Sequence, residues 1–236
     1  MNENQEENNT NEFTSSENTN VGSDIKQETV NTFNEAKEKM KNIDFKAEAE
    51  TGKGLLKKLI KNPLEAIKEI SQDSENSFFK TAILLVAIWA IIAFAKQLIY
   101  YITSKYIKFT GSNILTLVKV TIAPICRILA LTLSVYIINK KSKKSFITII
   151  TAMTVAKIPV IISSLFGFLT YISHKITSIT NPIGALLSVI STVLVYFAVK
   201  FLSDEENDSD ALKSFIKVEA IYYIICFALS FLEISL

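Results

Sequence analysis

Long apolar stretches recur along this chain after residue 77, and they constrain its fold more than any other feature. Five segments of roughly 20 to 29 residues stand out by their hydrophobicity, and they cover residues 78–101, 113–139, 145–173, 182–202 and 212–236. A helix needs about 20 predominantly apolar residues to cross the hydrocarbon core of a bilayer. We therefore predict an all-α fold, a polytopic membrane protein whose residues 78–236 form a bundle of five transmembrane helices.

The N-terminal region has the opposite composition. Residues 1–50 contain 12 acidic residues and 5 lysines, whereas the rest of the chain contains 20 basic and 11 acidic residues, so the net charge of +2 conceals an acidic segment joined to a basic one. Residues 1–33 are rich in Asn, Glu, Ser and Thr and are too polar to bury a core. We expect residues 1–53 to be a disordered, acidic cytoplasmic tail, in which residues 34–50 form either a transient helix or a charged linker.

Residues 54–77 have the pattern of amphipathic juxtamembrane helices. Apolar residues recur there at helical spacing, namely Leu55, Leu56, Leu59, Ile60, Leu64, Ile67 and Ile70, and lysines occupy the other faces. Asn62 followed by Pro63 and Glu65 predicts a capped helix that begins at Pro63. Two positions are compatible with this pattern. The segment lies in the headgroup plane with its lysines toward anionic lipid, or it packs on the cytoplasmic ends of the spans.

The lysines of the connections predict the orientation in the membrane, because positive charge accumulates on the cytoplasmic side. Two clusters belong together on one side: Lys57, Lys58, Lys61, Lys68 and Lys80 before the first span, and Lys140, Lys141, Lys143 and Lys144 between the second and third spans. The opposite side receives only Lys105, Lys108 and Lys175. We expect a multi-pass protein of the cell membrane, with its N-terminus in the cytoplasm and its C-terminus outside.

A few polar residues fall inside the predicted spans and form a candidate intramembrane polar site. Arg127 and Lys157 lie near the middle of the second and third spans, with Pro124 and Pro159 close by, and Glu219 is the acid well inside the fifth span. A cation at such a depth costs about 2.5–3.5 kcal/mol on an insertion scale, and a proline frees a backbone carbonyl one turn earlier. One interpretation is a midplane cavity for anion transport, with further lining groups at Thr151, Thr154, Ser163 and Ser164. The other is that the two cations bond freed carbonyls and hydroxyls between packed helices.

The inventory of reactive side chains argues against an enzyme. The chain has one histidine, His174, and two cysteines, Cys126 and Cys226, which lie 100 positions apart among apolar residues. Zinc-ligand spacing, a redox cysteine pair, a phosphate-binding glycine loop and the catalytic groups of an intramembrane protease are all missing from the sequence. We therefore predict no catalytic residue, no metal or cofactor site and no nucleic-acid partner.

The order of parts and two short motifs suggest a family. A polar N-terminal region is followed by an amphipathic lead-in with Lys61-Asn62-Pro63 and then by closely spaced spans, and the third span carries KKSKKSF at residues 140–146 and AKIP at residues 156–159. In these features residues 61–236 resemble the Yip family, the Ypt/Rab-interacting-protein-like five-span membrane proteins, in its bacterial form. The resemblance implies a non-enzymatic membrane protein, whose eukaryotic relatives act in vesicle trafficking through small GTPases and other membrane proteins.

Two functional hypotheses follow. The first is a scaffold or accessory protein that acts through helix packing and recruits partners with its amphipathic segment and acidic tail. Its expected partners are the lipid bilayer and other membrane proteins or further copies of itself. The alternative is a small transporter or channel that uses the midplane cations Arg127 and Lys157. The sequence does not identify the substrate of such a transporter.

Overall fold

The computed structural model describes residues 34, 37–38, 44–73, 75–103, 110–139, 142, 144–172, 177–205 and 207–231. The chain divides into two compact units, residues 1–41 and 42–236, and the described residues of the first unit are all helical. The second unit contains eight described α-helices, and no strand occurs in the part of the chain that the structure describes. The predicted all-α fold is therefore confirmed, whereas the predicted disorder of residues 1–33 lies outside the described residues.

The helices are numbered here in chain order. They are α1 (Phe45–Lys61), α2 (Pro63–Gln72), α3 (Phe79–Thr103), α4 (Gly111–Ile138), α5 (Phe146–Ala156), α6 (Ile158–Ile172), α7 (Thr177–Leu202) and α8 (Asp208–Ser230). Helix α1 begins nine residues before the amphipathic segment expected from residue 54, because the Asp44 carboxylate caps it by accepting hydrogen bonds from two backbone amides at 3.0 and 3.2 Å.

Three of these helices, α3, α4 and α7, are individually long and apolar enough to cross a membrane. Helices α5 and α6 satisfy the same criterion only as a pair bent by 44°. The described part of the chain thus contains three such helices, or four if the bent pair is one span. Helix α8 stays below the criterion because each of its 18-residue stretches holds at least three charged residues. A fifth crossing by residues 212–236 remains a prediction, and residues 232–236 are outside the described part.

The amphipathic helices form part of the core of the helical bundle. Helix α2 packs against α5 and α7, and its Ala66, Ile67 and Ile70 are at most 1% exposed. They join one hydrophobic cluster with residues of α4, α5, α7 and α8, so the structure has the segment packed on the spans. The predicted helix start at Pro63 is confirmed, but the predicted side-chain cap is wrong: the Asn62 amide bonds to the Glu65 carboxylate instead of to the backbone.

Polar contacts gather several chain segments at one end of the bundle. The Thr148 hydroxyl, in the first turn of α5, donates to the Asn76 side chain at 3.0 Å, between α2 and α3. Lys144, before α5, pairs with Asp204, after α7, at 3.3 Å. The start of α3, the start of α5 and the end of α7 therefore lie at the same end, next to α2. Of the lysines used to predict orientation, Lys105, Lys108, Lys140, Lys141, Lys143 and Lys175 are outside the described residues.

Candidate functional site

The predicted third span consists of two helices that meet at Lys157, so the prediction of a single helix over residues 145–173 is wrong. The Lys157 N–H is shared between the carbonyls of Met153 and Thr154 at 3.2 and 3.1 Å, and its own carbonyl accepts from Val160 at 2.9 Å. Pro159 supplies no backbone donor, so the regular hydrogen-bond ladder cannot continue through this turn. The result is the 44° bend between α5 and α6.

A serine from a distant helix completes the hydrogen bonding at this bend. In a regular α-helix the Val160 N–H would donate to the Ala156 carbonyl, four residues earlier. Here it donates to the Lys157 carbonyl instead, so the Ala156 carbonyl lacks its regular donor. The Ser191 hydroxyl on α7 donates to that carbonyl at 3.0 Å, and both residues are fully buried. The sequence analysis missed Ser191, since its position 35 residues away gives no local signal.

The structure brings three of the predicted site residues together from three places in the bundle. Lys157 is close enough to the Glu219 carboxylate of α8 to be attracted by it and close enough to Arg127 of α4 to be repelled. All three residues are half-buried. Among the described residues, none of the three forms an ion pair within 4.0 Å. We call Arg127, Lys157 and Glu219 the charged cluster.

Two residues of α8 that the sequence analysis did not select face the same cluster. The Tyr222 and Cys226 side chains lie close to each other and interact electrostatically with Arg127 and Glu219. The spacing of positions 219, 222 and 226 places them on one face of a helix. The sequence contained a signal for these two residues, because they lie three and seven positions after Glu219, on the helix face that carries this acid.

The remaining predicted residues lie at different places in the bundle. Pro124 is buried within α4, which continues unbroken to Ile138. The four hydroxyls proposed as lining groups separate into two pairs: Thr151 and Thr154 lie in the core on α5, and Ser163 and Ser164 lie beyond the bend on α6. Thr151 donates to its own helix at 2.8 Å. Within the described part of the chain, the buried Thr154 hydroxyl has no hydrogen-bond partner.

A polar cavity of about 540 Å³ lies elsewhere, between α3, α6 and α7. Ser163 and Ser164 line it, but no member of the charged cluster does. Its other lining residues are Lys96, Val160, Gly167, Thr170, Thr177, Thr180, Asn181 and Gly184. Lys96 was not among the predicted site residues, although a lysine within the apolar run of α3 is a signal visible in the sequence. We call this space the Lys96 cavity.

Side chains around the Lys96 cavity are held by specific contacts. The indole of Trp89 donates to the Ser164 hydroxyl at 3.0 Å, and that hydroxyl donates to the Val160 carbonyl at 3.0 Å. No group of three or more His, Cys, Asp or Glu side chains suited to a metal ion occurs among the described residues. The arrangement therefore offers cationic and hydroxyl groups within a helical bundle.

Comparison with known proteins identifies a family. A family model described as the Yip1 domain matches residues 57–230. No curated protein and no solved structure matches the chain. The matched range begins in α1, includes the bend at Lys157 and ends at the last residue of α8.

Proposed function

Because the chain belongs to the Yip1-domain family of membrane proteins, we propose that it is a non-enzymatic scaffold of the cell membrane. It holds a charged platform at the cytoplasmic surface and recruits other membrane proteins, or further copies of itself, to that platform. The platform consists of α1 and α2, with the acidic N-terminal tail attached to it. The N-terminus is cytoplasmic and the C-terminus is outside.

The observation that carries this proposal is the way α2 joins the bundle. Its apolar face is buried in the same hydrophobic cluster as α5 and α7, so the platform is fixed to the spans and cannot insert that face into lipid at the same time. Three lysines of the platform are exposed, Lys57 and Lys61 on α1 and Lys68 on α2. We call Lys57, Lys61 and Lys68 the lysine face. The exposed acids Glu65 and Glu69 lie on the same helix as Lys68, so the surface carries both signs of charge. Its lysines favour acidic groups of a partner through electrostatic complementarity.

The charged cluster supports a packing role for the spans. The attraction between Lys157 and Glu219 acts between α8 and the bend between α5 and α6, and an attraction of this kind favours one register of the helices over others. Transport through this cluster would require Arg127 and Lys157 to line a cavity. The Lys96 cavity is lined by neither of them, so this cavity gives no support to transport through the charged cluster.

The experiment that tests the proposal compares two triple variants of the lysine face. Lys57→Glu, Lys61→Glu and Lys68→Glu together reverse its charge, whereas the matched Lys→Arg triple retains it. Proteins are crosslinked in native membranes and purified through an affinity tag on the full chain. We expect the arginine variant to retain the crosslinked membrane partners of the wild type and the glutamate variant to lose them.

Equal recovery of the same partners by all three proteins would overturn the recruitment role of this face.

A flux assay tests the alternative function, transport. Wild type and the double variant Arg127→Leu with Lys157→Leu are reconstituted in vesicles, and anion efflux is recorded after the fold of each has been verified. The scaffold proposal predicts the same background efflux for both, whereas efflux that the double variant abolishes would establish transport instead.

A further inference from the structure

The Lys96 cavity has the chemistry of an anion site. Lys96 is the charged residue among those that line it, and neither Asp nor Glu contributes to its described wall. The other polar groups are five hydroxyls and the amide of Asn181. Its volume of about 540 Å³ falls within the range of roughly 300–1,000 Å³ that is typical of small-molecule sites.

Several donors at this wall are available to a ligand. The hydroxyls of Ser164 and Thr170 already donate to backbone carbonyls of α6, at 3.0 and 2.7 Å. By contrast, Ser163, Thr177 and Asn181 donate no hydrogen bond to any residue that the structure describes. Together with the positive charge of Lys96 at the same wall, these three groups match a ligand with several acceptor oxygens.

Two glycines make room for polar side chains at this wall. The Lys96 ammonium lies 3.5 Å from the point that a Cβ on Gly167 would occupy, so it sits against the α6 backbone. On the other side, a Cβ on Gly184 would approach the Ser163 hydroxyl oxygen to 3.0 Å. A larger residue at either position would narrow the space beside Lys96 or Ser163.

The depth of Lys96 indicates where the ligand comes from. At 1.5 Å per residue it lies about 25 Å along α3 from Phe79, and a hydrocarbon core is about 30 Å thick. If α3 enters the membrane near Phe79, Lys96 reaches the opposite interface, where the phosphates of lipid headgroups are concentrated. A lysine at this level is within reach of a headgroup phosphate of that leaflet.

We propose that the Lys96 cavity binds a phosphate group, with Lys96 as the cationic contact and Ser163, Thr177 and Asn181 as hydrogen-bond donors. The site faces the membrane side opposite to α2. It is distinct from the charged cluster and from the lysine face, so its occupancy does not depend on the scaffold proposal. A phospholipid headgroup and free inorganic phosphate share the chemistry that this site recognises.

The chain provides its own reporter for binding. Trp89 is the only tryptophan, and its indole is bonded to Ser164 at the cavity wall. The full-length protein is purified in a maltoside detergent, which has no phosphate, and Trp89 fluorescence is recorded during three titrations. The probes are short-chain phosphatidylglycerol, short-chain phosphatidylcholine and inorganic phosphate.

We expect a saturable change with phosphatidylglycerol and weaker binding of zwitterionic phosphatidylcholine. Lys96→Gln should lower the affinity at least about tenfold, because a charge-assisted contact is lost. The matched control Lys119→Gln removes a lysine of α4 that does not line the cavity, and it should leave the affinity unchanged. If Lys96→Gln does not fold, Ser163→Ala replaces it as the test, with an expected loss of roughly threefold to tenfold.

Saturation by inorganic phosphate alone would support the site and assign it to the free ion. Saturation by phosphatidylglycerol alone would assign it to a lipid headgroup. The proposal is overturned if no probe gives a saturable change, or if the variants at Lys96 and Ser163 bind as tightly as the Lys119 control.

Discussion

Replacing Ser191 by alanine tests how the bend at Lys157 is stabilised. The wild-type hydroxyl donates to the Ala156 carbonyl at 3.0 Å, and both residues are 0% exposed. In the alanine variant the Ala156 carbonyl stays buried and loses the Ser191 hydroxyl as its donor. The Val160 N–H cannot take over, because it donates to the Lys157 carbonyl. Leaving a buried acceptor unsatisfied costs about 1–3 kcal/mol, whereas side-chain hydrogen bonds between membrane helices average about 0.6 kcal/mol, with a maximum near 1.7.

We therefore expect Ser191→Ala to lower the free energy of unfolding by about 1–2 kcal/mol, a factor of roughly 5–30 in the ratio of folded to unfolded protein. The assay is reversible unfolding in mixed micelles with increasing SDS, followed by Trp89 fluorescence. Thr192→Ala is the matched control, because that hydroxyl is exposed and bonds only to Ser188 on its own helix. Its cost should stay within about 0.5 kcal/mol. Equal losses for the two variants would refute the role assigned to Ser191.

Three further predictions concern the core, the Lys96 cavity and the charged cluster. Ile67→Ala should destabilise the protein by about 2–5 kcal/mol in the same unfolding assay, because Ile67 is fully buried between α2 and the spans; a cost below 1 kcal/mol would contradict this packing. Ser164→Ala removes the acceptor of the Trp89 indole. We therefore expect a blue shift of the Trp89 emission and a free energy of unfolding that is lower by about 1–3 kcal/mol. Unchanged emission would argue against this hydrogen bond. A double-mutant cycle of Glu219→Gln and Lys157→Gln should give a favourable coupling of about 0.5–1 kcal/mol, and zero coupling would show that the two charges do not interact.

The features that the sequence predicted correctly are those with local causes. Long apolar runs predicted α3, α4 and α7, because the length of such a run decides whether a helix can span a bilayer. Pro63 fixed the start of α2 through its own φ angle and missing donor. Pro159 likewise indicated a disturbed backbone next to Lys157, although not the division into two helices.

The features that it missed depend on which helix faces touch. Ser191 meets Ala156 because α7 packs beside α5, and Lys96 meets Gly167 because α3 packs beside α6. A helix that is apolar on all sides has no amphipathic pattern that identifies its inward face. The periodicity of the sequence therefore could not predict which residues of neighbouring helices meet. The choice between the two positions of the amphipathic segment also depended on packing. Only the contacts of α2 with α5 and α7 distinguish a helix in the core from one in the headgroup plane.

The most direct test of the account is the accessibility of α2 in native membranes. Cys126 and Cys226 are replaced by alanine, and single cysteines are introduced at the buried Ala66 and at the exposed Lys68. Inside-out vesicles then react with a membrane-impermeant maleimide. A helix fixed in the core predicts modification of Lys68→Cys at least about tenfold faster than that of Ala66→Cys, since exposing Ala66 requires local opening that costs 1.4 kcal/mol or more. Equal rates at the two positions would contradict a platform packed on the spans.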